Sequence, residues 1–191
     1  MQILAAASAH HALPLLAAKP DLPALLRTGD CVLVMRHAQT AAGVGDPPDY
    51  RLDQCSTQRN LSDEGRAQAV RIGQWFKTHQ LLPRSVQTSA WCRCKDTAEL
   101  AFGKYAVLSA LNSTFDNRAS QDAQTKALRT RLDYIPTGQF EVWVTHQVNI
   151  TALTAESTSM GEALVISNKA RVLGRTLFSA KSAETSLLLN S

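Results

Sequence analysis

The apolar positions of this chain fall into short blocks that alternate between two periods. Cys31-Val32-Leu33-Val34-Met35 is a continuous apolar run, bounded by the Gly29-Asp30 turn on one side and Arg36 on the other. Phe140 to Thr145, reading F-E-V-W-V-T, is a second. Runs of this length suit strands buried on both faces, as in a parallel sheet covered by helices. Shorter strand candidates are 85–88, 163–167 and 172–178, and 105–108 reads as a strand or as the lead-in to a loop. Helical spacing fills the intervals. Ser62, followed by Asp63 and Glu64, combines a capping side chain with acids in a first turn, and Ala69, Ile72 and Phe76 then recur on one face through about His79. Residues 21–27, 92–102 (closed by Gly103) and 148–154 read as further helices, and Leu128, Leu132 and Ile135 mark the apolar side of another. This alternation predicts an α/β sheet covered on both faces.

Size and charge narrow the classes. The 191 residues fit one domain, and 45% hydrophobic against 19% charged residues allows an ordinary packed core. The formal charge of +4 is a mild excess with no run of five or six basic residues, which argues against a nucleic-acid partner and is compatible with an anionic substrate. No later segment is apolar enough for a membrane span. Residues 3–18 are mostly Ala and Leu, like the apolar part of a secretory signal, yet no Lys or Arg precedes Lys19. The expectation is an N-terminal arm over 1–28, either a signal remnant or a loose extension. A domain over 29–180 and a tail over 181–191 would follow, with a periplasmic or secreted location slightly favoured over a cytoplasmic one.

The candidate chemistry sits past the C-terminal ends of strands. Arg36-His37 follows the first apolar run, Trp91-Cys92-Arg93 the 85–88 strand, and His146 the Trp143 strand. In open parallel sheets these ends share one edge, where ligands bind. The topology therefore gathers two arginines and two histidines, with helix N-termini opening toward the same space. A guanidinium matches phosphate oxygens bidentately, one neutral imidazole can attack phosphorus, and a second can donate to its equatorial oxygens. Such donors stabilise phosphoryl transfer by charge. His79, late in a helix, and His10 and His11, in the arm, read as structural or surface residues.

Four stretches together resemble the histidine phosphatase superfamily, the phosphoglycerate mutase-like proteins. They are L-V-M-R-H-A-Q-T (33–40), Q-R-N-L-S-D-E-G-R-A-Q-A (58–69), T-S-A-W-C-R-C-K-D-T-A (88–98) and V-T-H-Q (144–147). The resemblance spans about 29–178 and looks nearest to small bacterial phosphatases, including phosphohistidine phosphatases and lipopolysaccharide core heptose phosphatases. It implies a three-layer α/β/α fold with a mostly parallel sheet. It also implies His37 as a phosphorylated nucleophile, with Arg36, Arg93 and His146 holding the phosphate, and neither metal nor cofactor. The implied partner is a phosphorylated small molecule, a glycan or a phosphohistidine protein; the oligomeric state is open.

The sequence departs from the family at the proton donor. Where many members carry a Glu in an L-x-E setting, it reads Leu111-Asn112-Ser113, and Gln147 follows the second His where others have Asp. Asp116 is the first candidate acid; Asp122 lies in the same region, and Asp46, Asp49 and Asp53 lie in the long loop over 39–60. A phosphosugar mutase of the same fold and a catalytically weak phosphate-binding protein are the alternative functions.

The four cysteines, Cys31, Cys55, Cys92 and Cys94, include no C-x-x-C pair, which argues against structural zinc. They read as buried thiols. If the chain is exported, Cys55 can pair with Cys92 or with Cys94 and staple the loop to the helix bearing the arginine motif.

Overall fold

The computed structural model describes residues 21–43 and 45–178; residues 1–20 of the expected arm and the whole expected tail over 181–191 lie outside the described residues. In chain order the elements are α1 (Leu22–Thr28), β1 (Cys31–Arg36), α2 (Asp63–Thr78), β2 (Ser85–Thr88), α3 (Cys92–Phe102), β3 (Ala106–Val107), α4 (Gln121–Leu132), β4 (Phe140–Thr145), α5 (Gln147–Thr154), β5 (Glu162–Ser167) and β6 (Val172–Leu177), with short 3-10 turns in the loops. The apolar runs and helical spacings predict these elements closely. Ile135 is the exception: α4 ends at Leu132, and Ile135 packs from the following turn.

Among the described residues one six-stranded sheet runs β3-β2-β4-β1-β5-β6. The first four strands are mutually parallel, while β5 is antiparallel to β1 and β6 antiparallel to β5. The alternation of side chains along a strand explains the three layers. From β1, Cys31, Leu33 and Met35 pack with Ile72 and Phe76 of α2 and Ala98 of α3. Val32 and Val34 point the other way, onto Leu128 and Leu132 of α4 and Ile150 and Leu153 of α5. All six residues of β4 are buried, as a strand covered on both faces requires.

Register then aligns the site. Arg36 pairs with Thr145 across β1 and β4, and Thr88 pairs with Val144 across β2 and β4, so the three strands end level. The ladder runs on one step beyond each: His37 N–H donates to the Thr145 carbonyl and Ser89 N–H to that of Val144, both at 3.0 Å.

Helix α2 is anchored to this edge by its first turn. Ser62 Oγ accepts the Gly65 amide at 3.1 Å, the capping bond expected of that serine. A side chain at Gly65 would run into the Gln39 carbonyl, so only glycine lets the helix come this close. Gln68, one turn on, accepts the Gln39 amide at 3.0 Å and donates to the Met160 carbonyl at 3.3 Å. The G-x-x-Q spacing of the second motif thus clamps the chain just after His37.

Candidate active site

Four residues from three segments meet above the sheet edge. Arg36 ends β1, His37 follows it, Arg93 lies in the first turn of α3, and His146 caps α5. The structure brings these four sequence-predicted residues together: the His37 and His146 rings are 5.5 Å apart between centroids, and Arg93 Nη2 is 3.5 Å from His146 Nδ1. His37, Arg93 and His146 are all buried, and Arg36 is half-buried.

The tautomers follow from the partners. His37 Nδ1 lies 2.8 Å from the Ala38 carbonyl, which can only accept, so Nδ1 carries the proton and Nε2 keeps its lone pair. His146 faces the opposite way. Its Nδ1 looks onto a guanidinium, a pure donor, which leaves the proton on Nε2; that nitrogen lies 2.9 Å from Ser89 Oγ. Ser89 passes its own proton to Asn112 Oδ1 at 3.2 Å. Burial, then the Arg93 charge, lower the His37 pKa to about 3. The His146 pKa also falls well below the usual imidazole value, through burial first and then the charges of His37, Arg93, Arg36 and Arg59. Both rings are therefore neutral at physiological pH.

The arginines are held by one end. Arg36 gives Nη1 to the Thr158 carbonyl at 3.0 Å. Arg93 gives Nη1 to Asp46 Oδ1 at 2.8 Å and stacks 4.4 Å over the Trp91 ring. In both residues Nε is buried without a hydrogen-bond partner. A buried N–H with no acceptor costs about 1–3 kcal/mol, so each marks a place where an anion's oxygens would be satisfied. Burial first, and then neighbouring charge (Arg59 and Arg93 on Arg36, Arg93 on Arg59), lowers the pKa of Arg36 and Arg59, as in a site built for negative charge.

Several contributors escape sequence reasoning. Arg59 lies in the second motif, yet nothing in its local pattern separates it from a surface arginine. Gln58 is 6% exposed and accepts the Cys92 amide on Oε1 at 2.9 Å. That amide at the start of α3, one of those expected to face an anion, is thus already used. Gln58 Nε2 donates to the Arg51 carbonyl at 2.8 Å. Beside it, a disulfide joins Cys55 to Cys92, and Cys31 and Cys94 remain as buried free thiols. Trp91 is sandwiched between Arg93 and Tyr50, with the Tyr50 ring 4.3 Å away. Of the candidate acids, Asp116 is exposed and hydrogen-bonds Tyr50, whose hydroxyl pKa is raised by burial and by that carboxylate. Asp46 alone among them bonds to Arg93. His79 closes α2, its Nδ1–H donating to the Trp75 carbonyl at 2.8 Å. Among the described residues no three His, Cys, Asp or Glu side chains are grouped to hold a metal ion, and no helix is long and apolar enough to cross a membrane.

The chain belongs to the histidine phosphatase superfamily: residues 32–127 match the model of its branch 1. No curated protein matches the chain. Among solved structures, the protein histidine phosphatase SixA complexed with tungstate is similar at a TM-score of 0.55 and 14% identity, covering 78% of this chain and 97% of that one. The putative phosphohistidine phosphatase SixA from Agrobacterium tumefaciens is similar at 0.53 and 16% identity, over 76% and 97% of the two chains. TTHB049 from Thermus thermophilus is similar at 0.52 and 20% identity, over 76% and 98%. At these identities the likeness is one of fold.

Proposed function

We propose that the protein hydrolyses a phosphomonoester or phosphoramidate without a metal, through a phosphohistidine at His37. The observation that carries this reading is the tautomer of His37: Nδ1 is tied to the Ala38 carbonyl, leaving a neutral, buried Nε2 beside two guanidiniums with unpartnered Nε–H groups. Phosphate oxygens bound to Arg36, Arg93 and Arg59 would present phosphorus to that nitrogen. His146, taking up a proton as the phosphate binds, would donate from Nδ1 to an equatorial oxygen. Water then attacks the phosphohistidine, and inorganic phosphate leaves. A protein histidine phosphatase among the structural relatives favours a phosphohistidine protein as substrate, and its tungstate complex makes tungstate a suitable competitor for this pocket. The Cys55–Cys92 bridge favours an oxidising compartment, in keeping with an exported catalytic unit over 29–180.

The test is hydrolysis of p-nitrophenyl phosphate and of a phosphohistidine protein by wild type and His37→Ala. The variant is expected to fold and to be inactive, and acid-labile, base-stable phosphate is expected on His37 of the quenched wild type. Activity of His37→Ala within tenfold of wild type would remove the nucleophile assignment. Release of inorganic phosphate, as opposed to transfer to a second substrate hydroxyl, separates the hydrolase from a mutase.

A further inference from the structure

Among the described residues no glutamate stands with Arg36, His37, Arg93 and His146, so the proton for a poor leaving group is to be sought elsewhere. We propose that Asp46 is that donor: from the loop over the cradle it protonates the leaving oxygen and later takes a proton from the attacking water. The inference rests on the phosphatase reading above and adds a catalytic residue to it.

The local structure narrows the candidates. Ser113, in the place of the family's Glu, accepts the Phe115 amide at 3.3 Å and is no acid in the useful range. Gln147, after the second His, has Oε1 on the Thr158 amide and hydroxyl and Nε2 on Thr151, and an amide offers no such proton. Asp53 pairs with Arg51 at the surface, and Asp49 and Asp122 are exposed. Asp116 stands one layer out, on Tyr50. Asp46 Oδ1 accepts from Arg93 Nη1 at 2.8 Å and from the Arg59 amide at 3.1 Å, and its side chain is 19% exposed against 4% for Arg93. It is thus the more exposed partner of the pair, while His37 is 2% exposed. In an in-line displacement the leaving oxygen departs away from the nucleophile, and from a buried His37 that is toward the more exposed groups around Arg93, of which Asp46 is the acid.

Arg93 divides its edges accordingly. Nη1 is held by Asp46, while Nη2 faces His146 and Nε is unpartnered, so phosphate and carboxylate occupy different parts of one guanidinium. A phosphate monoanion, with its second ionisation near pH ~6, brings the proton that Asp46 passes on. In the first step His37 Nε2 forms the N–P bond as the P–O bond breaks. The electron pair of that bond goes to the leaving oxygen, which takes the Asp46 proton. In the second, water attacks phosphorus, the N–P pair returns to Nε2, and the Asp46 carboxylate accepts the water's proton.

The experiment measures kcat/KM, which covers the steps through phosphoryl transfer, for Asp46→Asn, Asp116→Asn and wild type on alkyl, p-nitrophenyl and 2,4-dinitrophenyl phosphates. General acid catalysis is worth about 10²–10⁴-fold where the leaving group needs it. The expected result for Asp46→Asn is a loss of that size on the alkyl ester, shrinking to less than about tenfold on the dinitrophenyl ester. The wild type should show only a shallow dependence on leaving-group basicity, and this holds as a test even if the variant folds poorly. An equal loss on all three esters would mean that Asp46 only positions Arg93, and the proposal falls. It falls equally if the selective loss appears in Asp116→Asn, or if wild type itself depends steeply on the leaving group. A wild type inactive on all three esters and on phosphohistidine overturns the phosphatase reading first.

Discussion

The Thr97 hydroxyl accepts the Ala38 amide at 3.0 Å and donates to the Arg93 carbonyl at 2.7 Å. One buried side chain on α3 thus ties the backbone beside His37 to the residue that bears the second guanidinium. Thr97→Val keeps the shape and removes both bonds, leaving the Ala38 amide buried without an acceptor. The expected cost is about 1–3 kcal/mol of stability. A fall in kcat larger than any rise in KM should accompany it, because the nucleophile loses its register with the cradle. Denaturant melts and steady-state kinetics measure both.

Arg93→Ala and His146→Ala each remove one preorganised donor. Loss of such a donor costs about 10²–10³ in kcat. Each variant is also expected to lose tungstate inhibition, and EDTA is expected to leave wild-type activity unchanged. Inactivation by chelator, restored by a divalent ion, would contradict the metal-independent mechanism.

The Cys55–Cys92 bridge spans a sequence separation of 37, a loop closure worth about 3–4 kcal/mol in the chain-entropy picture. Cys55→Ser with Cys92→Ser should melt lower and show a raised KM, since Gln58 and Arg59 sit within that loop and the Arg59 amide holds Asp46. A thiol-reagent titration checks the pairing. Native protein should not react, because burial raises the pKa of Cys31 to about 11 and that of Cys94 to about 12. Unfolded, unreduced protein should show two thiols, those of Cys31 and Cys94.

Gly65→Ala sets a methyl against the Gln39 carbonyl. Backbone cannot yield cheaply there, so a loss of about 1–3 kcal/mol is expected, together with reduced activity as the chain after His37 shifts. The double variant with Gln68→Ala should cost less than the sum of the singles, since both act on the Gln39 clamp.

Stability should fall as the pH is lowered from about 7. His37 has a pKa of about 3 in the fold against 6.5 in the open chain, so between those values the unfolded state binds more protons. The contribution is full above about 6.5, declines below it, and levels off only near 3. His146, lowered in the same direction, adds to the slope. Melting temperatures measured between about pH 7.5 and 4.5 should drop less steeply in His37→Asn than in wild type.

Local pattern determined the longer strands, the start of α2 and the four motifs, and the resemblance of those motifs gave the superfamily. Burial on both faces imposes a continuous apolar run on β1 and β4, and capping imposes Ser62, so these features are written in neighbouring residues. The tertiary structure decided what depends on distant partners. That β5 and β6 run antiparallel follows from where the chain returns to the sheet edge: the Gly161 amide donates to the His37 carbonyl at 3.0 Å, beside the end of β1. Sequence left Cys92 and Cys94 open as partners for Cys55. Two positions apart on a helix they point to nearly opposite faces, and in the fold Cys94 faces the sheet, with Sγ 3.7 Å from the Thr145 carbonyl, while Cys92 meets the loop. The contacts of Asp46, Gln58 and Arg59 were hidden for the same reason. A loop rich in Gly, Pro and Asp has no periodicity to read, and the partners that order it lie far along the chain, on α3.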